Sequence, residues 1–442
     1  MKLTRWRWPV LGLTMLAGAL VWGGCGARTG LRTPDVPSDG QASTDVPQAR
    51  EICVEPRPDA GLFSINLETR PQLSVADVFL VIDRTGSMDQ EIDNIKANLS
   101  STIVPAIART IGDVQFGVAT YGDFPLDPYG DPSDVPFTLV SPIDRSVTNV
   151  QGAVNSIRVG GGGDNPEAMA EAMFQLASGE GYTPWVTPRV ACAAPGRVGY
   201  GCFRPNAQAI MILVADAPSH NGPGGSNPYA ASIFTRPRSC PVSLPNCAAS
   251  RAPHAYAEAV TALNAMRARV IGISSGAAPF TGRGDLERFA RDTGAITAAG
   301  APLVFDIGSD GRGLDARVVT AVETFTQQVR FNAAARVIDL DPERPASRIV
   351  RGIRAVSAEP SSQVERVDSD GFYGVFPGTR LTFALDLVGD LPLTEAPQRI
   401  PARVQFLADG RPVLGYRDIV IVLPARGERC EGAEPGLDAG RQ

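Results

Sequence analysis

The chain has 442 residues, with 41 Lys or Arg and 47 Asp or Glu, so its formal net charge is −6. This acidic balance disfavours nucleic acid as a partner, because binding to phosphates depends on clustered positive charge. A zinc site is also disfavoured, since the chain contains only two histidines, His220 and His254, and no pair of cysteines separated by two residues. The length leaves room for two folded domains.

The first 24 residues have the pattern of an export signal. Basic residues precede an apolar run from Trp8 to Trp22, which is too short to span a bilayer comfortably. The run leads into Gly-Gly-Cys25 and resembles the lipobox of bacterial lipoproteins, although Trp22 stands where Leu is usual. The resemblance implies that residues 1–24 are removed and that Cys25 is lipidated. Ordinary secretory cleavage after Ala19 is the alternative.

These features predict an exported protein that is held by lipid on the bacterial cell envelope, at the outer membrane or the cell surface. Residues 25–52 are expected to form a disordered tether, because Gly26–Glu51 is rich in Pro, Asp, Ser, Thr and Gly and has too few apolar residues to fold. As a flexible coil, such a tether spans about 25 to 30 Å.

The seven cysteines agree with lipidation of Cys25, because an even set then remains for an oxidising compartment. Short loops rich in Pro, Gly or Asn favour the pairs Cys192–Cys202 and Cys240–Cys247, which would leave Cys53 with Cys430. The sequence alone does not select among the roughly fifteen pairings that six cysteines allow.

Residues 76–330 alternate apolar strands with amphipathic helices, a pattern that predicts an α/β domain with a doubly wound, mostly parallel sheet. Its central strand is expected at Val78–Ile82, followed by a helix over Ser87–Val104 that Pro105 would stop. A second helix is expected over Pro166–Ala177, with Glu167 in its first turn.

Strands without helices dominate residues 331–430, which predicts a β-sandwich-like domain that ends before a tail over residues 431–442. In the segment 53–75, Phe63, Ile65 and Leu67 alternate with polar residues, as in a half-buried strand. If Cys53 pairs with Cys430, this strand would join the sandwich, and the α/β domain would be inserted into it.

Oxygen-bearing side chains follow two of the predicted strands. Asp83, Thr85 and Ser87 occupy alternate positions after the central strand, and Asp216 ends the apolar run that begins at Ile210. Ligands of open α/β sheets bind outside the carboxyl ends of the strands. Carboxylate and hydroxyl oxygens suit a hard divalent cation such as Mg²⁺.

The Asp-x-Thr-x-Ser segment resembles the first motif of the metal-ion-dependent adhesion site of von Willebrand factor type A domains. The stretch Gly160 to Glu167, with its Asp-x-Pro-Glu, looks like the integrin β-chain form of the second motif, and Asp216 matches the last acidic position. The resemblance implies that Thr85 and Ser87 bind Mg²⁺ or Mn²⁺ directly, that Glu167 joins them, and that one or both aspartates act through water.

The same resemblance points to auxiliary cations. Asp123 and Asp164 stand where integrin β chains hold a second ion, which here would be Ca²⁺; because Gly162 replaces an expected Asn, the alternative is that these acids are simply solvated. Glu91 matches one position of a third site in which Gln90 replaces an acid. The sequence places His220 at the rim or behind the ligands. A separate acidic loop, with Asp127, Asp131 and Asp134, is either another Ca²⁺ site or simply solvated.

Catalysis is not expected. The sequence has no Gly-x-Ser-x-Gly or His-Glu-x-x-His motif, and Gly160–Gly163 lacks the Lys-Ser/Thr of a phosphate loop. The leading hypothesis is an adhesion module whose metal captures an exposed Asp or Glu of a protein or peptide. Of the insertions Gly179–Asn206 and Ser219–Pro253, position favours the second as the rim of this site; the alternative is that both are disulfide-stapled decoration. The alternatives are an envelope lipoprotein with a purely structural cation and a metal-dependent hydrolase without a visible base.

The lipobox resemblance predicts that Cys25→Ser releases the protein from the membrane fraction, because the substitution removes the acylated thiol. Fractionation followed by mass spectrometry of the N-terminal peptide tests this prediction. Unchanged membrane recovery together with an unmodified Cys25 would contradict it.

Overall fold

The fold was obtained as a computed structural model that describes residues 49–56, 61–235, 251–276 and 281–430. The expected signal peptide, Cys25, Cys240, Cys247 and the C-terminal tail lie outside these residues, as does the tether up to residue 48. Within the described ranges, none of the helices combines the length and the apolar character needed to cross a bilayer.

The strands of the described ranges are numbered in chain order: β1 Arg50–Cys53, β2 Leu62–Thr69, β3 Val75–Asp83, β4 Asp113–Tyr121, β5 Thr138–Asp144, β6 Gln208–Ala215, β7 Arg269–Ser274, β8 Val304–Asp306, β9 Phe331–Asp339, β10 Val350–Glu359, β11 Arg366–Asp368, β12 Gly371–Val375, β13 Arg380–Val388, β14 Gln398–Ala408 and β15 Val413–Leu423. The α-helices are α1 Asp89–Asn98, α2 Val104–Thr110, α3 Val147–Asn155, α4 Met169–Ser178, α5 Ala231–Thr235, α6 Tyr256–Ala265, α7 Arg283–Asp292 and α8 Leu314–Gln328.

The α/β domain is built on a six-stranded sheet with the order β5-β4-β3-β6-β7-β8. All neighbouring pairs are parallel except β4 and β5, which confirms the predicted doubly wound sheet. Strand β3 lies at the centre and is buried on both faces. Phe79 and Val81 pack towards α4, α6 and α7, whereas Leu80 and Ile82 pack towards α1, α2, α3 and α8. Each such side chain contributes about 1.5–3 kcal/mol on burial.

The prediction that Pro105 ends the first helix was wrong. Helix α1 continues through a wider turn over Leu99–Ile103, in which hydrogen bonds reach back five residues, and α2 then begins at Val104. Pro105 thus falls in the first turn of α2, where the ring costs little because its missing N–H is not needed.

The β-rich domain contains a six-stranded sheet, β1-β15-β14-β9-β12-β11, and a three-stranded sheet, β10-β13-β2, which share one apolar core. Strand β1 pairs in parallel with β15, and β2 pairs with β13. The α/β domain is therefore inserted between β2 and β9. The tether was predicted to extend too far, since Arg50–Cys53 already forms part of a sheet.

Two disulfides in the described residues match the predicted pairing. Cys53 is bonded to Cys430 with a Cα–Cα distance of 5.7 Å, and Cys192 is bonded to Cys202 with a Cα–Cα distance of 5.8 Å. The first bond joins residues 377 positions apart and fastens β1 to the end of the sandwich, whereas the second closes a loop of the first insertion.

We expect the Cys53→Ser/Cys430→Ser variant to lose about 2 to 5 kcal/mol of unfolding free energy, because the bond restricts a very long loop of the unfolded chain. Denaturant titration under oxidising conditions measures the loss. The Cys192→Ser/Cys202→Ser variant is the matched control and should lose less, since that bond closes only a short loop. Equal losses would contradict the loop-length argument.

Candidate metal centre

The loop after β3 is fixed by one oxygen of Asp83. Asp83 Oδ1 accepts hydrogen bonds from the backbone N–H of Thr85 at 2.9 Å and from the Thr85 hydroxyl at 2.7 Å. Asp83 Oδ2 is buried and has no hydrogen-bond partner among the described residues. Thr85 is also buried, whereas Ser87 two residues later is exposed. The loop therefore carries polar groups from the interior to the surface.

Glu167 is held by a short parallel bridge and not by a helix, so the prediction for α4 was wrong at its start. Its N–H donates to Pro218 O at 2.9 Å, and its carbonyl accepts from His220 N–H at 2.8 Å. Helix α4 begins only at Met169. Glu167 is 3% exposed, and its Oε2 has no hydrogen-bond partner within the described parts of the chain.

The glycine loop Gly160–Gly163, which precedes Glu167, lies against the loop that follows β3. A Cβ atom on Gly162 would lie 3.7 Å from Thr85 Cβ and 3.8 Å from Glu167 Oε1. Asp216 follows directly after β6, the strand beside β3, and its Oδ1 is buried without a hydrogen-bond partner in the described structure. We call Asp83, Thr85, Ser87, Glu167 and Asp216 the first site.

Asp134 is a further acidic group that sequence reasoning did not assign to this region. Its Oδ2 accepts from Gly162 N–H at 2.8 Å, and its Oδ1 lies 3.9 Å from the Arg84 guanidinium. A Cβ atom on Gly161, where φ is +96°, would lie only 1.8 Å from Asp134 Oδ1, so the glycine is required for this approach. No sequence signal indicated the contact, because Asp134 comes from a loop 51 positions after Asp83.

The acidic loop does not form the alternative Ca²⁺ site. Among the described residues, the carboxylates of Asp127, Asp131 and Asp134 do not bring three oxygens within 4.8 Å of one another. Asp134 Oδ2 accepts hydrogen bonds from the N–H groups of Asp131 and Gly162, which hold this carboxylate towards the glycine loop.

A second group of ligand atoms does converge. Asp123 follows β4, Asp164 lies in the loop before α4, and His220 begins the second insertion; one ligand atom from each lies within 4.8 Å of the others. His220 Nε2 lies 3.3 Å from Asp123 Oδ2 and 3.2 Å from Asp164 Oδ1. We call these three residues the second site.

The structure thus brings Asp123 and Asp164 together as expected, but it places His220 between them and not at a rim. The bridge between Glu167 and Ser219 draws the next residue, His220, inward. That bridge joins distant segments, so the sequence did not reveal it. By contrast, Asp83, Glu167 and Asp216 of the first site do not bring three carboxylate oxygens within 4.8 Å in the described structure.

The third auxiliary site is not assembled in the described residues. Glu91 is buried on α1, and its Oε1 accepts a hydrogen bond from the Ser275 hydroxyl. Burial raises the pKa of Glu91, and this hydrogen bond lowers it in part. Glu91 does not belong to any described group of three acidic, His or Cys ligands.

Burial and mutual repulsion control the charges of both sites. Burial, followed by the charge of Asp216, raises the pKa of Asp83 to about 7. Burial, followed by the charges of Asp83 and Asp123, raises the pKa of Glu167 to about 11. Burial also raises the pKa of Asp123 well above its usual value. In each case the ionised form lacks sufficient compensation from the protein alone.

These side chains fit a divalent cation. The buried acidic oxygens that lack a hydrogen-bond partner among the described residues include Asp83 Oδ2, Asp123 Oδ2, Asp134 Oδ1, Glu167 Oε2 and Asp216 Oδ1. A buried, unpaired carboxylate costs several kcal/mol, so such a concentration requires either protons or a cation. Carboxylate and hydroxyl oxygens are the ligands that Mg²⁺ prefers.

The fold and these side chains define a doubly wound α/β domain with an oxygen-rich candidate site for a cation at the carboxyl edge of its sheet. Residues 77–180 match the model of the von Willebrand factor A domain family. The chain therefore contains a von Willebrand factor A domain, as its motifs imply.

Three individual proteins show similarity to the chain. It is 28% identical over 147 residues to "Alpha-protein kinase vwkA" of Dictyostelium discoideum, and the match spans 33% of this chain but only 19% of that protein. A solved von Willebrand factor type A structure from Catenulispora acidiphila is 14% identical, with a TM-score of 0.36 over 84% of this chain and 71% of that one. The pilus adhesin SpaC from Lactobacillus rhamnosus GG is 12% identical, with a TM-score of 0.32 over 83% and 46% of the two chains.

The raised pKa of Asp83 predicts that the metal-free protein loses stability as the pH rises. Because the pKa is about 4 in an unfolded chain and about 7 in the fold, the folded state binds more protons. The stabilisation that protonated Asp83 contributes to the folded state is therefore complete below about pH 4 and is lost as the pH rises through about 7. In EDTA, we expect a lower thermal midpoint at pH 7.5 than at pH 5.5, and a larger gain from Mg²⁺ or Mn²⁺ at pH 7.5.

The Asp83→Asn variant separates this group from other carboxylates, since it keeps the shape but cannot ionise. It should be more stable than the wild type in EDTA at pH 7.5, and it should respond less to metal. Wild-type and variant midpoints that change in parallel with pH would contradict this assignment.

Proposed function

We propose that this chain is a surface-anchored binding module that captures a carboxylate of a protein or peptide partner through Mg²⁺ or Mn²⁺ at the first site. The observation that carries the proposal is the set of buried acidic oxygens that lack a hydrogen-bond partner among the described residues, together with the exposed Ser87 in the loop that follows Asp83. This arrangement suits an ion that the protein holds from below and that a ligand reaches from solvent.

The residues of the first site would contact the ion in different ways. The hydroxyls of Thr85 and Ser87 would bind the ion directly, and Glu167 would supply its unpaired Oε2. Asp83 and Asp216 would act largely through water, as the resemblance of their motifs to the adhesion site implies. A Mg²⁺ ion that retains water keeps an exchangeable position and much of its positive charge, which attracts an external Asp or Glu.

One carboxylate bond is too little for a specific complex, because stable interfaces bury about 1,200–2,000 Å². The second insertion leaves from the same edge and would supply part of this area. The described portion of this insertion packs against the α/β domain. Tyr229 and Phe234 are buried, and the centroids of their rings lie 5.4 Å and 4.8 Å from that of Phe124. This packing supports the proposal that the insertion forms a rim of the first site.

Attachment and the non-catalytic role are parts of the same proposal. Lipid on Cys25 and the tether would hold the domain at the envelope, with the site open to a partner. We propose binding and not catalysis, since the motifs of hydrolases and phosphate loops are missing from the sequence. The kinase similarity covers 19% of that relative, so its activity is not carried over to this chain.

We expect Asp83→Ala to abolish metal-dependent capture of the partner, with a loss of affinity of about 100-fold or more, because it removes both a ligand and the anchor of the Thr85 loop. Pull-down from an envelope or extracellular extract, with Mg²⁺, Mn²⁺ or EDTA, identifies the partner. Binding constants for the purified pair then measure the effect, and circular dichroism checks the fold.

Asp390→Ala is the matched control, since it removes an exposed acid from the β-rich domain. It should leave binding and its EDTA sensitivity unchanged. A specific partner whose binding ignores both EDTA and Asp83→Ala would reject metal-mediated capture and support the alternative of a structural cation.

A further inference from the structure

We infer that Asp123, Asp164 and His220 form a second metal site of a different kind, one that selects a transition metal ion such as Zn²⁺ over Mg²⁺ and Ca²⁺. This inference goes beyond the proposed capture of carboxylates and does not depend on it. It also reverses two expectations from the sequence, namely that zinc is disfavoured and that an auxiliary ion would be Ca²⁺.

The hydrogen bond of His220 determines which ring nitrogen is free. Its Nδ1 lies 2.8 Å from the backbone carbonyl oxygen of Asn227, which can only accept, so Nδ1 carries the hydrogen. In neutral imidazole the lone pair then lies on Nε2, the atom that faces Asp123 and Asp164. Histidine ligands of metals are usually oriented in this way, with the other ring N–H donated to a carbonyl or a carboxylate.

The spacing of the three ligand atoms fits a metal centre. For bonds of about 2.0–2.2 Å, adjacent ligands of an octahedral or tetrahedral ion lie about 3.0–3.5 Å apart. The observed distances from His220 Nε2 are 3.3 Å to Asp123 Oδ2 and 3.2 Å to Asp164 Oδ1. Both distances are longer than the roughly 2.7–2.9 Å of a charge-assisted hydrogen bond, and a single N–H on Nε2 would have to be shared between two carboxylates.

The surroundings hold Asp123 and His220 in place before any metal binds. Asp123 is fully buried; its Oδ1 accepts from Phe124 N–H at 2.6 Å and from the Tyr229 hydroxyl, which leaves Oδ2 for the ion. The His220 ring stacks on Tyr229 with centroids 4.2 Å apart and meets the edge of Tyr129 at 5.0 Å. Such supporting contacts are typical of functional metal sites.

The donor set decides which metal is preferred. Mg²⁺ and Ca²⁺ favour ligand sets made of oxygen alone, whereas an imidazole nitrogen suits Zn²⁺, Fe²⁺, Co²⁺ or Ni²⁺. The Asp164 side chain is 33% exposed, so water can complete the coordination from that side. The ion would join the end of β4, the loop before α4 and the start of the second insertion, and would thereby steady Glu167, whose backbone is bonded to that of His220.

Cobalt provides a direct test with the full-length chain. After treatment with EDTA and buffer exchange, we expect one equivalent of Co²⁺ to produce a visible absorption band that equimolar Zn²⁺ removes and millimolar Mg²⁺ or Ca²⁺ does not. His220→Asn should weaken Zn²⁺ binding by at least about 10- to 100-fold and abolish the band, because the imidazole nitrogen is lost. Circular dichroism verifies that the variant is folded.

Three further variants make the result decisive. His254→Asn removes the only other imidazole of the chain, which is held by Glu171 at 2.9 Å, and should leave the band unchanged. Asp83→Ala disables the first site and should also retain the band, so failure of the proposed function is distinguishable from failure of this inference. Asp164→Asn alters a partly exposed ligand and should weaken Zn²⁺ binding even if His220→Asn proves unstable.

Two outcomes would overturn the assignment. One is a cobalt band that survives His220→Asn, or that Mg²⁺ displaces as readily as Zn²⁺ does. The other is an absence of stoichiometric Zn²⁺ or Co²⁺ binding together with nitrogen NMR shifts that show His220 protonated on both ring nitrogens, which would identify an ion pair with the two aspartates.

Discussion

Uncompensated negative charge at the carboxyl edge of the parallel sheet is the constraint on which the functional region depends. Asp83, Asp123 and Glu167 are almost completely buried; this burial, with a smaller effect from the charges of neighbouring carboxylates, raises the pKa of each. The nearest described cation to Asp134 is Arg84, whose guanidinium lies 3.9 Å away, too far for a strong hydrogen bond. Without metal, burial favours the protonated form of these groups; a bound cation would instead favour their ionised form and take them as ligands. The edge is therefore a place where folding and cation binding are linked.

The inserted arrangement of the domains gives this edge its orientation. The β-rich domain contacts the opposite, amino edge of the sheet: Ser74 precedes β3 and donates its hydroxyl hydrogen to Val413 O at 3.0 Å. Arg269, the first residue of β7, is paired with Asp409 at 2.8 Å. The carboxyl ends of the same strands carry the proposed metal ligands and so face away from the domain that receives β1 and β2.

The two neighbouring sites at this edge differ in their exposure to solvent and would therefore have different roles. The first site contains an exposed hydroxyl and suits exchange with a ligand from solvent, whereas the second site is covered by the rings of Tyr229 and Tyr129. Glu167 links them, because its carboxylate belongs to the first site and its backbone is bonded to His220 of the second. A metal at the second site would therefore restrict the motion of a ligand of the first without touching it.

The sequence by itself determined the fold class and the order of the elements, and it named the residues that are proposed for the first site. Local signals carry this information, since apolar periodicity marks the strands and oxygen-bearing residues directly after them mark the carboxyl edge. The positions of Asp134 and His220 next to the two sites became apparent only from the tertiary structure. Asp134 reaches the site because Gly161 and Gly162 let a distant loop approach, and His220 turns inward because Glu167 pairs with Ser219. Both contacts join segments far apart in the chain, where residue patterns carry no information about which loops will meet.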